Sequence, residues 1–243
     1  KKLQREGQLE RDVDRLVRND RIAWGASMIA CKDADAMVTG NIRHYAASIE
    51  KLKRVTDPRP GEEIFGMTMI TLKGKTILVA DTNVQDFPSS ERLVKVSKSC
   101  VRVARLFGFD PKVAFLSHST FGKPISKNTK HVRNAIEMLK KENVDFDFDG
   151  EMQPDVALNP IYQEIYPFSK IVGNANILIM PALHSAAIST KLMKVFGGGK
   201  LIGPLLIGLG SPIEVAPLRA STSEILNLAS IAAYSSDVID YSN

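Results

Sequence analysis

The sequence predicts an α/β protein, a sheet layered between helices on both faces. Two observations carry that expectation. Short runs rich in Val, Ile, Leu and Phe alternate about five times with longer stretches of helical periodicity. Glycine, proline and aspartate cluster at the joints, at Asp57-Pro-Arg-Pro-Gly61, Lys73-Gly74 and Gly197-Gly-Gly199. A third is negative: no 20–50-residue repeat is visible, and no segment is of low complexity.

Taken in chain order, apolar residues Leu3, Leu9, Val13, Leu16 and Val17 recur near the helical period, predicting one helix over the first 23 residues. Trp24–Ala30 is a short apolar run. Asp33–Gly40 (DADAMVTG) reads as turn, strand and turn, and Arg43–Val55 as a helix. Asp57–Gly61 then breaks the pattern and marks the first boundary. Ile64–Leu72 and Thr76–Ala80 form a strand pair around Lys73-Gly74. Pro88 followed by Ser89 or Ser90 as N-cap starts a helix to Phe107. Val113–Ser117 is a strand, Ser126–Glu142 a helix, and Asp145–Asp149 an alternating strand that turns on Asp149-Gly150. Pro154–Ile165 is helical in part. Ile177–Met180, Leu201–Ile207 and Ile213–Ala216 are strands, and Ser185–Phe196 is a helix. Glu224–Tyr234 closes as a helix, with Ser221-x-x-Glu224 fitting a capping box.

With 243 residues, 44% hydrophobic and 24% charged, the chain has the balance of an ordinary globular core. The net charge of +5 comes partly from Lys1, Lys2, Arg5, Arg11, Arg15, Arg18 and Arg21 on the first helix. Without interleaved aromatics these read as a solvated face, and no nucleic-acid partner is expected. No apolar run approaches the ~20 residues of a membrane span, since Leu201–Leu209 is broken by Gly203, Pro204 and Gly208. Cys31 and Cys100 lie far apart in apolar helical surroundings, which suits packed thiols in a reducing cytoplasm. The chain opens without Met inside a charged helical pattern and reads as a piece of something longer.

Ligands of open α/β sheets bind beyond the carboxyl ends of strands, and three such ends carry polar groups. Leu116–Gly122 (LSHSTFG) offers hydroxyls and backbone N–H groups to a phosphate; the same residues also make an ST-turn that caps the next helix. Met180–Ser185 brings His184 to a helix start, either as base or anion donor or simply hydrogen-bonded. Asp149–Asp155 supplies carboxylates that orient a substrate or serve turn and N-cap chemistry. Asp145, Asp147 and Asp149 resemble the start of a calcium loop but lack the Gly and Glu that should follow, and strand alternation explains them. His44, His118, His131 and His184 lack zinc spacing, so no metal site is expected. There is no GxSxG elbow or Walker loop, and Gly197-Gly-Gly199 reads as a helix C-cap rather than a dinucleotide fingerprint.

Four longer words, VARLFGFDPKVAFLSHSTFG, DFDFDGEMQPDVALNP, NILIMPALHSAAISTKL and LIGPLLIGLGSPIEV, occur in this order. Together they resemble the phosphate acetyltransferase (phosphotransacetylase) family, from about Arg11 to Tyr234. DADAMVTG, VADTNV, the SxSTFG turn and PALHSAAISTK resemble more closely the phosphotransacetylase-like C-terminal domain of bacterial NADP-dependent malic enzymes. The resemblance implies a three-layer α/β/α, isocitrate/isopropylmalate dehydrogenase-like architecture of two subdomains with a cleft. One subdomain would comprise residues 1–59 and 203–243, and an inserted one residues 60–202. It implies an acyl-CoA cleft formed by Thr39, Gly40, Arg43, Ser119, Thr120, His184, Ser185, Lys191, Arg219, Ser221 and Glu224.

The family's catalytic word is a Ser-Arg pair followed by Gly-x-Ser-x-x-Asp. Aligned through Gly203-Pro204 and Ile225–Asn227, the pair falls on Pro217-Leu218 and the Asp on Glu224, with Arg219 one residue late. A second family Arg falls on Glu50, and the extension after the SxST turn is shortened to Phe121-Gly-Lys-Pro124. The resemblance therefore implies a non-catalytic, oligomerising domain of a malic enzyme, with acetyl-CoA as effector, a homodimer as assembly and no catalytic residue. NADP, a divalent metal and the malate site would belong to a catalytic domain preceding Lys1. The alternative is an active phosphate acetyltransferase or butyryltransferase using Arg219 and Glu224; a third is an assembly domain with no ligand.

Overall fold

The computed structural model describes residues 2–80, 86–125, 129–239 and 241, and it divides into two compact units, Lys1–Ile64 with Ile202–Asn243, and Phe65–Leu201. The fold is mixed α/β with helices on both sides of a central sheet.

In the first unit, the single amino-terminal helix expected from periodicity is three helices: α1 (Lys2–Arg5), α2 (Glu10–Asn19) and α3 (Arg21–Cys31). Two residues make the breaks. Gly7 takes φ +86, outside helical space, and Asp20 caps α3 by accepting the N–H of Ile22 at 2.9 Å and of Ala23 at 3.4 Å. No residue of α2 is buried, so its arginines do form a solvated face. The apolar run Trp24–Ala30 is the body of α3, which buries Ile22, Ala23, Ala26 and Ile29. Cys31 at its end is exposed, against the expectation that both thiols pack inside, whereas Cys100 is buried. β1 (Met37–Gly40) lies parallel to β8 (Ile213–Ala216), and α4 (Tyr45–Val55) and α10 (Thr222–Val238) pack against the pair.

In the second unit, β2 (Phe65–Leu72) and β3 (Lys75–Ala80) form a hairpin. Its turn residues Lys73 and Gly74 both have positive φ, the geometry that matches strand twist. β4 (Lys112–Leu116), β5 (Asp147–Met152) and β6 (Ile177–Ile179) join β3 as parallel strands in the order β5-β4-β6-β3-β2, and the chain leaves through β7 (Lys200–Ile207). α5 (Ser90–Leu106) starts on Ser89, whose Oγ accepts the Arg92 N–H at 3.2 Å, and buries Leu93, Val96, Cys100 and Val103. α6 (Lys130–Glu142) buries Val132, Ala135, Ile136 and Leu139 and packs on α5. The expected start of α6 at Ser126, and Asp81–Val84 of the VADTNV word, lie outside the described residues. Each fully buried Leu, Ile or Val on these faces contributes about 1.5–3 kcal/mol. α7 (Pro154–Leu158), α8 (Pro160–Gln163) and α9 (Leu183–Phe196) complete the unit.

Asp149-Gly150 is not a turn: β5 runs on to Met152, shifting register against β4 between Phe115 and Leu116. Simple alternation fails here too. Asp145 and Asp147 are exposed, but Asp149 is buried and accepts the N–H of Gly150 at 2.9 Å and of Lys170 at 2.8 Å.

Candidate functional site

The residues expected to bind acyl-CoA fall into two groups, one in each unit. In the first unit, β1 and β8 end side by side, Gly40 paired with Ala216. Gly40 has φ +105, and a Cβ there would stand 2.3 Å from the Ala216 carbonyl oxygen, so only glycine lets the strands close at this end. The turns beyond them interlock. Asn41 donates its N–H to the Ala216 carbonyl at 3.2 Å and accepts the Arg219 N–H at 2.9 Å. The Oδ1 of Asn41 is buried without a hydrogen-bond partner, an acceptor that sequence reasoning passed over.

Thr39 is half-buried in β1, and Arg219 is exposed with φ +58. Arg43 does not stand with them as a free cation; its Nη1 lies 3.5 Å from Asp20, which also pairs with Lys51. Burial alone would raise the Asp20 carboxyl, but Lys51 and the N–H groups of Ile22 and Ala23 outweigh it and hold the group below its usual range. Ser221 and Glu224 bind each other in the expected capping box. The Ser221 Oγ accepts the Glu224 N–H at 3.2 Å, and Glu224 Oε2 accepts the Ser221 N–H at 2.8 Å and its hydroxyl at 2.9 Å. Leu218 is half-exposed and Glu50 is exposed on α4.

In the second unit, the turn after β4 directs its hydroxyls inward. Ser119 is 0% exposed: its Oγ donates to Glu151 Oε1 at 3.0 Å and lies 3.2 Å from the Ser117 Oγ, while its N–H donates to that same Ser117 oxygen at 3.3 Å. Thr120 Oγ1 accepts the Gln153 N–H at 3.2 Å, and the Gln153 amide donates back to the His118 carbonyl at 2.8 Å. The Ser117–Ser119 turn of the alternative reading is present, but it does not cap the next helix: α6 has Thr129 as its N-cap residue, and the hydroxyls of Ser119 and Thr120 turn to Glu151 and Gln153 instead. Glu151 is the centre of it. Its carboxylate, 1% exposed, also accepts the Gly122 N–H at 3.0 Å and lies 3.9 Å from Arg133 Nη1. Sequence reading placed Glu151 in a polar word without assigning it a role, because the strand was ended at Asp149 and only the structure carries β5 on through Glu151 to Met152.

His184 opens α9 exposed, its ring edge-on to Phe87 at 5.0 Å. Ser185 turns its hydroxyl back to the Ala182 carbonyl at 2.7 Å. Lys191 is exposed on the same helix. A cavity of about 880 Å³ in the first unit is lined by Ile29, Lys32, Pro58, Arg59, Gly210 and Tyr241 among others, and none of the expected site residues borders it. Among the described residues no three His, Cys, Asp or Glu side chains cluster to hold a metal ion, and no helix is long and apolar enough to cross a membrane. Gly197 is the C-cap residue of α9, as expected, and a Cβ on Gly199 would meet the Thr71 carbonyl at 2.8 Å, so this glycine is needed for close packing on β2.

The chain is 47% identical over 233 residues to the NADP-dependent malic enzyme of Rhizobium meliloti strain 1021, an alignment covering 96% of this chain and 31% of that protein. It therefore spans about a third of the length of the curated malic enzymes it matches. Among solved structures, a phosphotransacetylase from Streptococcus pyogenes superimposes with a TM-score of 0.89 at 29% identity, covering 96% of this chain and 72% of that one. A 4-hydroxythreonine-4-phosphate dehydrogenase from Klebsiella pneumoniae reaches a TM-score of 0.56 at 13% identity, with 88% and 69% covered, and shares the dehydrogenase-like fold alone. The family model described as "Phosphate acetyl/butaryl transferase" matches residues 1–233, and with this architecture the chain belongs to that family.

Proposed function

We propose that this chain is a non-catalytic regulatory domain of an NADP-dependent malic enzyme, responding to acetyl-CoA in the cytoplasm. Its observational basis is the end of β8. Pro217 and Leu218 stand where the family resemblance expects Ser-Arg, and the Glu224 carboxylate is held by Ser221 as a helix cap. A phosphoryl group is thereby without its bidentate cation, and a thiol without a free base. Similarity at 47% identity to a malic enzyme three times as long supports the parent. In this reading malate decarboxylation, NADP and a divalent metal belong to the remainder of that parent, and control works through differential affinity for two states of the whole enzyme. Calorimetric titration should show acetyl-CoA binding, and an assay coupling acetyl phosphate to CoA should show no turnover. Absence of heat up to millimolar acetyl-CoA would remove the sensing role.

The second reading is an active phosphate acetyltransferase. It is favoured by the close superposition on the Streptococcus phosphotransacetylase and by the exposed Arg219, anchored through its N–H. Acetyl-CoA formation that Arg219→Ala abolishes would establish it over the first.

We propose further that the chain dimerises through α9, whose Ile188, Leu192, Val195 and Phe196 are 59%, 51%, 76% and 83% exposed at helical spacing. Sedimentation should give a dimer for the wild type and a monomer for the pair Ile188→Asp, Leu192→Asp. An unchanged sedimentation coefficient would place any dimer contact elsewhere.

A further inference from the structure

Three aromatic rings gather beyond the carboxyl ends of β4 and β5. Phe121 and Tyr166 lean on the core of the second unit, and their rings lie 5.3 Å apart. Phe168 stands on both, 4.8 Å from Phe121 at 69° and 6.1 Å from Tyr166 at 79°, yet is 65% exposed. A ring gripped edge-on by two packed neighbours has little orientational freedom left, so it presents a preformed surface to solvent. Phe121 is brought there by an unfavourable backbone, φ +47, fixed by its N–H to the Glu151 carbonyl at 2.7 Å.

Cations border the cluster. Lys123 is exposed two residues after Phe121, its backbone paired with Thr120 in both directions. Arg133 comes within 3.8 Å of where a Gly122 Cβ would be. Two acidic groups of β5 below the turn are engaged, Glu151 in the turn and Asp149 with the N–H groups of Gly150 and Lys170, while Glu164 is exposed on the segment leading to Tyr166. A rigid aromatic face flanked by positive charge at the carboxyl ends of strands suits a purine carrying phosphates.

We propose that Phe168 is a stacking platform for the adenine ring of CoA, with its phosphates directed toward Lys123 and Arg133. This rests on the effector reading above. Acetyl-CoA is titrated into the wild type, Phe168→Ala and Phe168→Trp, with ADP as competitor on the wild type. Loss of one base stack weakens acetyl-CoA about ten-fold in Phe168→Ala; Phe168→Trp restores it, and ADP displaces the ligand. Because Phe168 is exposed, the variants should melt with the wild type. Equal affinity of wild type and Phe168→Ala, or no competition by ADP, overturns the platform and leaves the effector reading standing. A wild type that binds no acetyl-CoA removes both. Exposed Ile161, Ile165 and Val172 lie on the same segment. If Phe168→Ala alters the sedimentation coefficient while acetyl-CoA affinity holds, the rings form a protein contact and the proposal fails.

Discussion

Raising the pH from about 6 to about 9 lowers the unfolding free energy of the wild-type chain, and Glu214→Gln removes most of that fall. Glu214 lies on β8, paired with Val38 across the sheet and 5% exposed. Burial pushes its carboxyl from the usual 4.5 up to about 8, opposed by the Leu206 N–H, which donates to Oε2 at 2.9 Å. The folded chain therefore keeps a proton that the unfolded chain gives up between these two values. Below pH 4.5 both forms hold it, and the stabilisation is complete. Between 4.5 and 8 unfolding releases a proton, so stability falls as pH rises, by about 1.4 kcal/mol per unit and ~5 kcal/mol across the window. Above the folded value the fall levels off. Gln still accepts the Leu206 N–H and carries no charge, so the variant should lie within about 1 kcal/mol of wild type near pH 4.5, exceed it by about 2 kcal/mol at pH 6 and by ~5 kcal/mol at pH 9. Urea midpoints across this range measure it, and parallel curves for the two proteins would acquit Glu214. Asp20 slopes the other way: its lowered carboxyl contributes stability at neutral pH that is lost on the acid side.

How much of this was legible depended on whether a residue's partner lay nearby in sequence. The hairpin around Lys73-Gly74, the Ser89 cap and the Ser221–Glu224 box are local, and residue type with spacing specifies them. The amino-terminal breaks were missed because hydrophobic periodicity carries across Gly7 and Asp20, whereas backbone strain and capping stop a helix within one residue. Arg43 was expected at an acyl-CoA cleft because its sequence neighbours end β1, but Asp20, 23 positions away, draws it aside. Ser119 illustrates the same limit. A hydroxyl-rich turn at a strand end can point either way, and what turns this one inward is Glu151, 32 positions on. Glu214 gave no sign at all, since a glutamate within an apolar strand reads as an outward residue until its burial is known.

Glu151 carries the second large effect. Gly122 takes its φ of +84 freely, but Phe121 sits at φ +47, unfavourable for a side-chain-bearing residue, so the turn following β4 is not a conformation it holds unaided. Four contacts from Glu151 hold it: the carboxylate takes the Ser119 hydroxyl and the Gly122 N–H and faces Arg133, while its own carbonyl takes the Phe121 N–H. Glu151→Ala leaves the Ser119 hydroxyl and the Gly122 N–H without an acceptor in a closed space, each costing about 1–3 kcal/mol. The expected loss is about 3–4 kcal/mol, read from urea unfolding. Glu151→Gln retains one acceptor oxygen and gives up only the charge facing a half-exposed Arg133, so it should cost about 1 kcal/mol. Amide exchange separates a latch from a packing role. The Gly122 N–H should exchange much faster in Glu151→Ala while the Ala114 and Leu178 amides of the sheet keep their relative protection. Uniform acceleration across the second unit would mean that Glu151 supports the core rather than the turn. Phe121 underlies Phe168, so if the stacking proposal holds, loosening this turn should also weaken acetyl-CoA binding in the titration described for Phe168.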